Sequence, residues 1–141
     1  MKLALNDLAS MEGVQTVIVT SRDGLMVSSS GDLDEADELR AALSAAIFGT
    51  VGRAITPLEM GQPTDTIVET GTHCLQITSM DDFLLVAVAD KGVNVGLVRL
   101  RLRQAARRIQ AMLAGEIENG EVSHVGEAAS ASLSSVWQNL A

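Results

Sequence analysis

Tyrosine is absent from these 141 residues, and all aromatic side chains together make up 2%. Stacking on exposed bases therefore has almost no residues to use. A formal charge of −8 and a pI near 4.6 also oppose nucleic acid as a main partner. A single cysteine excludes an internal disulfide framework and fits a reducing compartment. His73 and Cys74 are neighbours and His124 lies far along the chain, so these three do not have the spacing of a metal site. No apolar run reaches the roughly 18 residues of a membrane span. Met1-Lys2-Leu3-Ala4 lacks the core of a signal peptide. These absences predict a cytoplasmic protein, without membrane insertion, metal or cofactor.

What is present is apolar and unevenly charged. Hydrophobic residues make up 47% of the chain, enough for one domain with a sizeable core. Residues 1–92 carry five basic and fourteen acidic groups. Residues 93–114 carry five arginines and no acid, and residues 115–141 carry four acids and no Lys or Arg.

The most informative stretch is Phe83-Leu84-Leu85-Val86-Ala87-Val88-Ala89-Asp90. Alternate strand residues face opposite ways. Here both sets are apolar, which predicts a central strand covered above and below. Met80-Asp81-Asp82 before it reads as a turn. Upstream, residues 2–11 have an apolar face at Ala4, Leu5, Leu8 and Met11 and predict a short helix. Val14 to Thr20 and Leu25 to Ser29 are strand-like, with Asp23-Gly24 as the hairpin turn between them.

A long helix is predicted from about Asp34 to Ile55, with Asp32 or Asp34 as cap and Thr56-Pro57 as its end. Ala36, Leu39, Leu43, Ile47, Val51, Ala54 and Leu58 form one apolar stripe. Ala41, Ala42, Ala45, Phe48, Gly49 and Gly52 form an opposite face of mostly small residues. A helix apolar nearly all round needs cover on two sides. We expect the small-residue face to meet another protein rather than the same chain, with Arg53 the arginine nearest that contact. Thr64–Thr70 predicts a polar edge strand and His73–Thr78 its neighbour. Asn94 is the expected cap of a last helix reaching about Ala114 and closed by Gly115, with Val95, Val98, Leu102, Ala105, Ala106, Ile109 and Leu113 buried.

No catalytic constellation emerges. His73 and Cys74 are adjacent on a strand and point to opposite faces, and Cys74 reads as a small core residue. The serines have no nearby base and no G-x-S-x-G context. Gly92-Val93-Asn94-Val95-Gly96 could receive an anion but lacks Gly-Lys-Ser/Thr, and reads as a strand-to-helix turn. The arginines of the last helix read as a solvated rim rather than a phosphate clamp or arginine finger. Leu133, Val136, Trp137 and Leu140 share one face at helical spacing, with Ser130 or Ser132 as cap. They predict a short amphipathic helix that docks on its own sandwich or on a partner.

Three local motifs in order carry a resemblance. Gly13-Val14 leads into Thr16-Val17-Ile18-Val19-Thr20, then Asp23-Gly24-Leu25 and Ser28-Ser29. Phe83 to Lys91 is followed by Asn94-Val95-Gly96-Leu97-Val98-Arg99. This set, in the order helix-strand-strand-helix-strand-strand-strand-helix, resembles the Roadblock/dynein light chain family over residues 2–114, most of all its prokaryotic, MglB-like members. The resemblance implies an α/β fold: a profilin-like α/β/α sandwich with a five-stranded, mostly antiparallel sheet over residues 1–115. Residues 116–141 would then be an acidic linker and the short helix. It implies a homodimer that pairs its long second helices and joins edge strands into one sheet. It further implies a non-enzymatic regulator or scaffold for a Ras-like small GTPase, which some members stimulate through the partner's own site. The alternative is a sensory or cytoskeletal interaction module with no GTPase partner.

Overall fold

A computed structural model describes residues 1–31 and 35–118. Its order is α1 (Lys2–Ala9), β1 (Val14–Ser21), β2 (Met26–Ser29), α2 (Glu35–Ile55), a 3₁₀ turn (Thr56–Leu58), β3 (Asp65–Glu69), β4 (His73–Met80), β5 (Phe83–Asp90) and α3 (Val95–Glu118). The five strands form one antiparallel sheet in the order β2-β1-β5-β4-β3. The apolar run of β5 thus lies at the centre, as its two-sided pattern predicts.

Alternation along the strands divides the core in two. Val17, Val19, Phe83, Leu85 and Ala87 point toward α1 and α3, where they meet Leu5, Leu8, Val98, Leu102 and Ile109. Ile18, Ile77, Leu84 and Val86 point the other way and meet α2. Nine of these side chains are completely buried: Leu5, Val17, Ile18, Val19, Ile77, Leu85, Val86, Leu102 and Ile109. Fully burying one aliphatic side chain is worth about 1.5–3 kcal/mol, so the sheet's two faces dominate the stability.

Turn chemistry sets the register. Asp81 adopts φ +54, a left-handed geometry that Asp tolerates, and Met80 pairs directly with Phe83 across the two-residue turn. Gly24, at φ +93, brings the β1–β2 turn against α2. A Cβ there would lie 2.9 Å from the Cα of Ala42. Here glycine supplies both the positive φ and the close approach. Arg22, next to that turn, donates to the carbonyl of Asp81 and to Ser79 Oγ (2.6 Å), and its guanidinium lies 5.6 Å from the Phe48 ring centre. One side chain thereby ties two hairpins to α2.

The sheet's two edges differ. At β2, Lys2 Nζ donates to the carbonyls of Ser29 (2.6 Å) and Gly31 (2.7 Å), placing a charge on the edge backbone. At β3, Asp65 accepts from Thr78 Oγ1 (2.9 Å) and from Arg103, and Arg99 lies 3.7 Å away. This network fastens α3 to β3 and β4. Burial works to raise the Asp65 pKa, but hydrogen bonds from Arg103 and Thr78 and the charge of Arg103 outweigh it and hold the carboxyl below its usual range.

Three element ends differ from the sequence reading. The first helix stops at Ala9 rather than Met11, with Ser10 accepting the role of C-cap. β4 runs to Met80 because its pairing with β5 continues to the turn. α3 passes through Gly115 to Glu118. A lone glycine costs a helix only about 1 kcal/mol against alanine, and without a left-handed turn it does not stop one. Asn94 is the expected cap: its Oδ1 accepts from the Leu97 N–H at 3.1 Å.

Candidate protein-interaction surface

α2 is the element from which the site is built. Acids crowd its first turn at Glu35, Asp37 and Glu38, and Arg53 lies in its last, the arrangement the helix dipole favours. Asp32 and Asp34, the expected caps, lie outside the described residues. Thr50 and Thr56 hydroxyls bond back to the carbonyls of Ala46 (2.7 Å) and Gly52 (2.8 Å), so the helix satisfies them without a partner.

The packing of α2 reverses the expected use of its faces. Ala41, Ala45 and Phe48 lie 0–5% exposed against Ile18, Ile77, Leu84 and Val86 of the same chain. They cannot be the contact with another protein. Small residues are here because α2 lies close on the sheet, with Gly24 pressed to Ala42. Ala42 itself is exposed, Gly49 and Gly52 are half-buried, and the nearest non-helical neighbours of Gly52 are Gln62 and Pro63. Arg53 is exposed and donates to Thr50 Oγ1 at 3.2 Å.

The opposite stripe is the uncovered one. Leu39 is 59% exposed, Leu43 54% and Leu58 65%, with Ile47 and Val51 half-buried beside them. On the same side of the sheet Leu75, Val68 and Val88 are also only half-buried. Met60 extends the patch at 70% exposure. Scattered exposed leucines are ordinary, but a row along one helix continuous with a half-covered sheet face marks an interaction surface. The span Glu35–Leu58 is long and apolar enough, by length and composition, to cross a membrane. Its inner side packs on the sheet through Ala41, Ala45 and Phe48.

Chemistry elsewhere is sparse. His73 is exposed and Cys74 buried, on opposite faces as strand geometry requires. Burial, and then the charge of Glu69, pushes the Cys74 thiol up, away from the reactive thiolate. Among the described residues no group of three or more His, Cys, Asp or Glu side chains is placed to hold a metal. Gly92 and Asn94 form the strand-to-helix turn, Gly92 at φ +93. Of the α3 arginines, Arg99 and Arg103 reach Asp65, and the rest are solvated. Leu133, Val136, Trp137 and Leu140 lie outside the described residues.

The Roadblock/LC7 domain family model matches residues 1–89, more than half of the chain. The chain belongs to the Roadblock/LC7 family. It is 32% identical to the uncharacterized protein MJ1340 of Methanocaldococcus jannaschii over 110 residues, 77% of this chain and 95% of that one. Its fold is similar to a Roadblock/LC7 domain from Streptomyces avermitilis, with a TM-score of 0.76, 15% identity, and 81% of this chain and 98% of that chain covered. It is also similar to Myxococcus xanthus MglB, with a TM-score of 0.73, 21% identity, and 81% and 94% covered. The Roadblock sandwich therefore extends past the family match to include α3. In this Roadblock chain the outer stripe of α2 is the surface that sequence reasoning assigned to the core. The signal was present: Leu39, Leu43 and Ile47 are larger than Ala41 and Ala45, and only the smaller set allows a helix to lie close on a sheet.

Proposed function

We propose that this Roadblock protein is a non-enzymatic, cytoplasmic regulator or scaffold that self-associates through α2 and binds a Ras-like small GTPase, whose hydrolysis it stimulates. The uncovered Leu39-Leu43-Ile47 stripe carries the reading. A second copy of the same stripe covers it by an isologous contact, in which each helix presents the same residues to the other. Family membership and the likeness to MglB support the GTPase as partner. The solvated rim arginines and the acidic bulk favour stimulation by reshaping the GTPase's own site, without an arginine supplied in trans.

Purified protein mixed with the Ras-like GTPase of its own source organism tests this reading. A complex that forms with the GTP-analogue state, and a faster single-turnover hydrolysis in its presence, are the expected results. No complex in either nucleotide state overturns the GTPase assignment and leaves a sensory or cytoskeletal interaction module. A wild-type monomer at micromolar concentration overturns self-association.

A further inference from the structure

The outer face of α3 has a different character from that of α2. Arg101, Arg107 and Arg108 are exposed there, interleaved with Leu97 (41% exposed) and Leu100 (50%). Arg99 and Arg103 are engaged by Asp65, but no carboxylate among the described residues comes within 4.0 Å of Arg101, Arg107 or Arg108. Beside this face a cleft of 620 Å³ runs between α1 and α3, lined by Asp7, Leu8, Met11, Arg101, Gln104 and Arg108 among others. Asp7 is its one acid. The adjoining depression toward the start of α3 holds Glu12 and Asp90 as well, so the positive end of the trough is the one nearer the C-terminus of α3.

We propose that the chain's own C-terminal segment, residues 119–141, docks along this trough, closing the basic face of α3. The charges are complementary: Arg101, Arg107 and Arg108 stand outside the Asp65 network on this face, and residues 119–141 carry Glu121 and Glu127 with no Lys or Arg. The apolar sets are complementary too. Leu133, Val136, Trp137 and Leu140 share one helical face, and the trough offers Leu8, Met11 and Leu97. The reach suffices. Returning from Glu118 to the level of Arg101 takes about 26 Å along α3 at 1.5 Å per residue. Residues 119–132 extend to about 45 Å at 3.3 Å per residue. Tethering also favours the segment over the same segment of a second copy, because a short flexible linker gives an effective concentration of about a millimolar. The docked segment excludes other acidic ligands from the arginines, so a partner for this face must displace it.

Trp137 is the only tryptophan, so its emission reports on the segment alone. In the full chain at low salt it should be blue-shifted from free tryptophan and should move toward the free position as salt is added. Arg101→Glu with Arg108→Glu should abolish the blue shift while far-UV circular dichroism stays unchanged. Glu121→Arg with Glu127→Arg, which leaves the sandwich untouched, should abolish it equally. Combining the four substitutions should restore it. Water-like emission in the unaltered chain overturns the proposal, as does a blue shift that survives either pair of reversals. A blue shift that fades on dilution in step with the sedimenting mass also overturns it, because the segment then belongs to a second copy.

Discussion

The two long helices cover opposite faces of one sheet and leave opposite kinds of surface behind. α2 turns Ala41, Ala45 and Phe48 inward and leucines outward. α3 turns Val98, Leu102, Ala105 and Ile109 inward and arginines outward. The inner faces do the same work by different means: small residues bring α2 close to the sheet, while larger ones let α3 span β4 and α1. The outer faces therefore call for different cover. Apolar surface is stabilised by contact that excludes water and is not weakened by the screening that salt brings. The arginine face attracts acidic groups and weakens as salt screens it, with a Debye length of about 8 Å at physiological ionic strength.

The comparison breaks most visibly if the inner and outer faces of α2 are exchanged by mutation. Phe48→Ala should cost the fold about 3–5 kcal/mol, because it opens a cavity against Ile77 and Leu84 and removes the platform under Arg22. Leu43→Ala should move the denaturation midpoint little, within about 0.5 kcal/mol for an exposed position, when measured on the monomer. Urea titration of both variants checks the assignment of faces; a larger loss from Leu43→Ala would reverse it.

Next in size is the effect on assembly. Leu43→Arg should bring a charge into the self-contact at a cost of several kcal/mol. Sedimentation should then show a monomer at micromolar concentration with unchanged circular dichroism. Gly49→Arg, on the flank of the helix rather than its outer stripe, should disturb assembly less. An equal or greater effect from Gly49→Arg would move the contact round the helix.

The Asp65 network gives a smaller and pH-dependent term. Its folded pKa is depressed, so the stabilisation is full above the unfolded value near 3.8 and is lost as pH falls through the lower folded value. Asp65→Asn should therefore cost about 1 kcal/mol at neutral pH, since its arginine partners are nearly half exposed. The difference from the wild type should vanish in acid. A cost that persists at pH 2 would mean that packing, not charge, supplies it. The smallest effect is expected at Arg53. If the GTPase reading holds, Arg53→Ala should change stimulated hydrolysis less than about 10-fold, against the 10³-fold or more of a lost arginine finger.

Much of this architecture was legible in the residues. β5 announces itself by apolar groups on both faces, and Asp23-Gly24 and Asp81-Asp82 mark hairpins by their turn chemistry. The Roadblock order follows from those pieces. The orientation of α2 was not legible from periodicity, because a helix apolar all round gives no phase. Side-chain size carried the missing information: Gly24 against Ala42 requires a small inner face. Gly115 misled for a related reason, since composition marks a helix end only where the backbone turns left-handed. The Asp65–Arg103 pair joins positions 38 apart in the chain, and no local pattern could have matched them.

The unequal edges of the sheet have a consequence for how far assembly can proceed. Lys2 seals β2 by occupying the carbonyls of Ser29 and Gly31, whereas among the described residues no lysine or arginine donates to the backbone carbonyls of β3. A ribbon that adds strands at both ends can lengthen without limit. One that accepts a neighbour at a single end can only join head to head, and after one such union both free ends are blocked. Any edge-to-edge joining of two such sheets would therefore be opposed by Lys2 at β2 rather than at β3.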